Sequence, residues 1–157
     1  MTGNKLLAGR TCLVTGASSG IGAHLAQAMA QAGGRVVLGA RRTELTERIA
    51  QDVREAGGEA LAISMDVTSE ASVGEAFSKA EDTFGPVDTV IANAGVSRYG
   101  RSTDLAEADL RQVFDTNLLG VHLTANAAGR AMIAAGSRKS GAGRIVIIGS
   151  ITAQLTG

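Results

Sequence analysis

Apolar residues in this chain gather in short unbroken runs, separated by longer stretches with helical spacing. Thr11 to Val14, Arg35 to Gly39, Ala60 to Met65, Val87 to Ala92 and Arg144 to Gly149 each read as a strand, the first of them a buried parallel one. Between them Ala23 to Ala32, Glu44 to Ala56 and Ser69 to Phe84 read as helices, with Leu45, Ile49 and Val53 on one face of the second. Gly33-Gly34 and Gly57-Gly58 stop the first two helices, and Gly85-Pro86 turns the chain into the fourth strand. A long helical pattern from about Leu105 to Ala135, broken near its start, is followed by a solvated polar loop, Gly136 to Gly143. Such regular alternation predicts parallel βαβ units in one α/β layer system.

Composition narrows the partners. With 157 residues, 45% of them hydrophobic, the chain can bury one sizeable core, and no linker long or polar enough divides it. The 15 basic and 15 acidic residues leave no net field to draw in nucleic acid or an anionic membrane, so binding must come from local sites. Met1 to Arg10 lacks an apolar signal core, and His122, Asn126 and Arg130 interrupt the alanine-rich stretch from Gly120 to Gly136. Neither segment reads as a targeting or spanning element. The single cysteine, Cys12, lies within the first strand as a small apolar residue and cannot form an intrachain disulfide, which fits a reducing cytoplasm. His24 and His122 stand alone and take no metal or triad role.

The chemistry gathers at the carboxyl ends of the strands, where ligands of open parallel sheets lie. Thr15-Gly16-Ala17-Ser18-Ser19-Gly20-Ile21-Gly22 sits at the first strand-to-helix turn. Gly16 permits the tight turn, Gly20 lets a phosphate approach the backbone, and Gly22 allows close helix–strand packing, while the helix N-terminus favours an anion. A dinucleotide pyrophosphate suits that place. After the second strand, Arg41 and Arg42 stand where a dinucleotide fold commonly puts an acid for the ribose 2′-hydroxyl; their guanidinium forks suit a 2′-phosphate and favour NADP over NAD, unless they are ordinary exposed charges. Asp66 either binds the adenine edge, with Val67 over its face, or begins a turn in which Thr68 or Ser69 caps the next helix. Asn93, Ala94 and Gly95 follow the fourth strand, small residues where bulk would strike a nucleotide.

These residues together resemble the short-chain dehydrogenase/reductase family over essentially the whole chain. Its cofactor turn, Thr-Gly-x-x-x-Gly-x-Gly, is matched by Thr15 through Gly22, and Asn93-Ala94-Gly95 matches its second mark. Asn117 matches an asparagine in the long helix. Leu110, Val113, Phe114, Leu118 and Val121 place it near a core-facing stripe, where an unpaired amide is costly and a partner or water is required. A satisfied core amide, or a helix irregularity assisted by Gly120, explains it locally; the resemblance gives it a proton-relay water. Ser150, directly after the fifth strand, is a turn or cap residue on local grounds, and by resemblance it hydrogen-bonds the substrate oxygen.

The resemblance implies a doubly wound Rossmann sheet of order 3-2-1-4-5 in the part present, a dinucleotide-binding domain over 1–157 whose carboxyl-terminal strands are missing. It further implies hydride transfer between NADP(H), NAD less favoured, and a ketone or secondary alcohol. In the family a tyrosine and a lysine four residues later complete the proton transfer, the lysine charge lowering the tyrosine pKa. No Tyr-x-x-x-Lys occurs here: Tyr99 follows the fourth strand, and position 103 is Thr. The expectation is therefore the amino-terminal portion of a longer enzyme, inactive alone, with one apolar side of the 105–135 helix under-covered, and a homodimer or homotetramer when complete. An NADP-binding regulator without turnover and a partner module without cofactor are the alternatives. Val96 to Arg101 either rim the pocket or are simply exposed loop.

Overall fold

The computed structural model describes residues 5–150. Five parallel strands, β1 Thr11–Thr15, β2 Arg35–Ala40, β3 Glu59–Ser64, β4 Thr89–Ala92 and β5 Arg144–Ile147, form one sheet in the order β3-β2-β1-β4-β5. The expected order and fold class hold. Register is set by pairs such as Leu13 with Val37 and with Val90, so the carboxyl ends of β1, β2 and β4 align along one edge.

Helices cover both faces because the strands are apolar on both. Leu13, Val37 and Val90 point into one core, with Val73 and Phe77 of α3 (Glu70–Phe84) and Ala128 and Met132 of α5 (Gly120–Ala134). Their strand neighbours Val14, Val36, Leu38 and Ile91 point the other way, onto Ala26 of α1 (Gly20–Gln31) and Ala50 and Val53 of α2 (Thr43–Glu55). Strand geometry sends successive side chains to opposite faces, so two cores share one sheet. Cys12 is fully buried within β1. Burial first, and then the charge of Asp88, pushes its thiol up to about 11 from the usual 9.0, which keeps it protonated and inert.

The 105–135 stretch departs most from expectation. Instead of a break near its start, it runs as α4 (Glu107–Phe114), a π-helical turn over Asp115–Leu119, and α5, with the Gly120 N–H on the Asp115 carbonyl. The polar segment that follows is no plain loop either, since Ser137–Ser140 closes one helical turn, α6. Other boundaries lie within a few residues of their predicted places, including Gly33 and Gly57, whose neighbours Gly34 and Gly58 bond back to Met29 and Val53. No helix among the described residues is long and apolar enough to cross a membrane.

Candidate functional site

The glycine turn is stitched to the end of β4 by one residue to which the sequence reading gave no role of its own. Thr15, the last residue of β1, is 1% exposed. Its hydroxyl accepts the N–H groups of Asn93 and Ala94, each at 3.0 Å, and donates to the Ile91 carbonyl at 3.5 Å. Asn93 returns the tie, its amide donating to the carbonyls of Thr15 at 3.0 Å and Gly16 at 3.4 Å. A buried hydroxyl among strand ends was the available signal for Thr15.

The three glycines of the turn have different surroundings. Gly16 adopts φ +67°, and a Cβ there would stand 2.8 Å from the Cα of Ala94. Gly22 is sealed inside, where a Cβ would meet the Gly16 carbonyl oxygen at 2.4 Å and the Asn93 amide at 2.5 Å. Gly20, at φ +55°, has open space instead, with no atom within 4 Å of a Cβ built on it. Ser19, the N-cap of α1, makes no side-chain cap bond, so its hydroxyl leaves the first-turn N–H groups to other partners. A backbone cradle, an open glycine and an uncapped twelve-residue helix together suit a phosphate.

A cleft of about 400 Å³ runs along this carboxyl edge. Gly16, Ser18, Ser19 and Ile21 of the glycine turn line it, with Arg41 and Arg42 after β2, Asp66 and Val67 after β3, and Asn93, Ala94 and Gly95 after β4. The structure thus brings together every predicted cofactor residue except Gly20 and Gly22, which shape the turn without lining the cleft. It adds Ala40, Met65 and Thr116, and it makes Val96 a wall residue. Ala40 is the last residue of β2 and Met65 the first after β3, positions that could have marked them.

Arg42 reaches the glycine turn, one terminal nitrogen donating to the hydroxyls of Ser18 at 2.9 Å and Ser19 at 3.2 Å. Both readings of Asp66 have a physical counterpart. It begins a turn, its Oδ1 accepting the backbone N–H of Thr68 at 3.0 Å and its hydroxyl at 2.8 Å, while Ser69 caps α3. It also lines the cleft. The Thr68 N–H foremost, with the Thr68 hydroxyl and the Arg41 charge, holds its carboxyl below the usual 3.8 against the opposing effect of burial.

Asn117 is placed differently from its prediction. Phe114 and Leu118 beside it are 61% and 64% exposed, and Asn117 is exposed too, so that stripe does not face the core. The π-turn shifts the helical phase, and beyond it the buried face is Gly120, Thr124, Ala128 and Met132. The apolar side left open matches the predicted lack of cover. The amide nevertheless has a full partner: its Oδ1 accepts the N–H of Val96 and its Nδ2 donates to the Val96 carbonyl, both at 2.8 Å. Ser150 stands on the same sheet edge, two residues past Ile148, whose N–H still bonds to Ala92, but it does not line the cleft.

A family model described as short chain dehydrogenase matches residues 10–157. The ketoacyl reductase HetN of Nostoc sp. is 34% identical over 94% of this chain and 50% of its own length. Among solved structures, a short-chain type dehydrogenase/reductase from Mycobacterium marinum superposes with a TM-score of 0.91 at 33% identity, over 98% of this chain and 61% of that one. An alcohol dehydrogenase from the archaeon Thermococcus sibiricus, solved with 5-hydroxy-NADP, gives 0.84 at 34% identity over 94% and 61%. The chain spans about half the length of the curated relatives it matches.

Proposed function

The chain belongs to the short-chain dehydrogenase/reductase family, and from that premise we propose that it is the cofactor-binding part of an oxidoreductase working with NADP(H) on a ketone or secondary alcohol. The observation that carries the NADP reading is the pair Arg41 and Arg42, which line the cleft after β2 in place of an acid, Arg42 donating to the Ser18 and Ser19 hydroxyls. A guanidinium fork provides charge-assisted donors for a 2′-phosphate, and an acid there would repel it.

When bound, the nicotinamide cofactor supplies or accepts a hydride at the carbonyl carbon. Gly16, Ser18, Ser19, Gly20, Ile21 and Gly22 form the pyrophosphate turn. Asp66 accepts from the adenine edge and Val67 covers its face, while Asn93, Ala94 and Gly95 keep that part of the cleft low in bulk and fastened to Thr15. Ser150 donates to the substrate oxygen, and Asn117 positions the water of a proton relay. Tyr99, the one tyrosine, is 94% exposed with Thr103 rather than lysine four residues on, so the chain by itself holds cofactor without turnover. A cytoplasmic homodimer or homotetramer is the reading for the whole enzyme, supported by the buried unpaired Cys12 and the open apolar face at Phe114 and Leu118.

Replacing Arg41 and Arg42 together by Ala should weaken NADPH by roughly 10–100-fold, the scale of losing hydrogen bonds to a charged group, and leave NADH within about twofold. Equal losses for both nucleotides would reject the 2′-phosphate assignment.

A further inference from the structure

Gly120 opens α5 directly after the π-turn and packs against Val67 in the segment that follows β3. A Cβ on Gly120 would stand 2.7 Å from Val67 Cγ2, 3.1 Å from Val67 Cβ and 3.3 Å from the Asp115 carbonyl oxygen. Rotating Val67 relieves the first of these contacts at the cost of a stiff β-branched rotamer, and it leaves the second untouched. Helix backbone therefore rests on Val67 with no side chain between them.

Each end of that contact leads to the cleft. Val67 itself lines it. On the other side, the Gly120 N–H closes the π-turn on Asp115, the same carbonyl that a Cβ would crowd. Within that turn Asn117 holds both backbone groups of Val96, which also lines the cleft. The Thr124 hydroxyl, donating to the Gly120 carbonyl at 2.7 Å, fixes the helix start from below.

We propose that Gly120 is a positioning residue: its missing side chain lets a single helix register place Val67 on one wall of the cleft and, through Asn117, Val96 on another. The cofactor consequence rests on the reading of the cleft as a dinucleotide site. An ordinary helical glycine gains stability when replaced by alanine. Here the sign is reversed.

The test compares the wild-type chain with Gly120→Ala, Val67→Ala and the double variant, following amide exchange at Val96 by NMR and NADPH affinity by titration. Gly120→Ala should speed Val96 exchange and weaken NADPH, each by about tenfold, the scale of an overpacked contact. Made in the Val67→Ala background, where the 2.7 Å contact is gone and only the 3.1 Å and 3.3 Å contacts remain, the same change should move either quantity clearly less, by no more than about threefold. Additive losses, an unchanged Gly120→Ala variant, or a double variant that does not fold would each overturn the inference. Should the wild-type chain fail to bind NADPH, the proposed function falls on its own, and Val96 exchange still decides the role of Gly120.

Discussion

The Thr15 hydroxyl accepts two backbone N–H groups at once, so Thr15→Val, which keeps the shape and removes the acceptor, leaves both donors without that partner. Each buried unsatisfied group costs about 1–3 kcal/mol. Thr15→Val should lower unfolding stability by about 2–4 kcal/mol on that basis, measured by urea denaturation; a loss under about 0.5 kcal/mol would show that the tie is dispensable. Asp66 offers a pH test. Its folded carboxyl titrates below its unfolded value of 3.8, so its contribution to stability is present above that pH and fades as pH falls through the folded pKa. Asp66→Asn should therefore reduce stability near neutrality and flatten the acid limb of the stability curve; an acid limb as steep as in the wild type would contradict the assignment. Local chemistry announced Gly16, Gly22 and the arginines, because turn conformation and missing acids are written in adjacent residues. Thr15 and Val96 were harder to read, because their roles lie in bonds to partners 78 and 21 residues away.

At the scale of elements, the strands and the first three helices were legible because each is fixed by a local apolar run and a local breaker. The long helix was not. Its periodicity places Phe114 and Leu118 with Val113 and Val121 on one stripe only if the helix keeps a single phase, and the π-turn over Asp115–Leu119 breaks that phase. Whether a stripe faces a core also depends on what packs across from it, which spacing along one helix does not encode. Glycine content misleads in the same way. Gly74 in α3 is exposed and nothing lies within 4 Å of a Cβ built there, so Gly74→Ala should raise stability by roughly 0.5–1 kcal/mol, read as a higher denaturation midpoint. A destabilised Gly74→Ala would mean that the space around a helical glycine does not govern the sign of its replacement, and would weaken the contrast drawn with Gly120.

Across the whole molecule, the sheet aligns four strand ends so that one cleft receives residues from the turns after β1, β2, β3 and β4. The fold's contribution to function is this convergence, since no single motif contains both the glycine cradle and the paired arginines. The opposite flank is open: Ile145, Val146, Ile147 and Ile148 at the β5 edge are between 38% and 55% exposed. The decisive measurement is calorimetric titration of the 157-residue chain with NADPH and, separately, NADH. One site per chain is expected, with NADPH bound at least about tenfold tighter, the worth of one charge-assisted hydrogen bond to the 2′-phosphate. Equal affinities, a preference for NADH, or no binding of either nucleotide would contradict it.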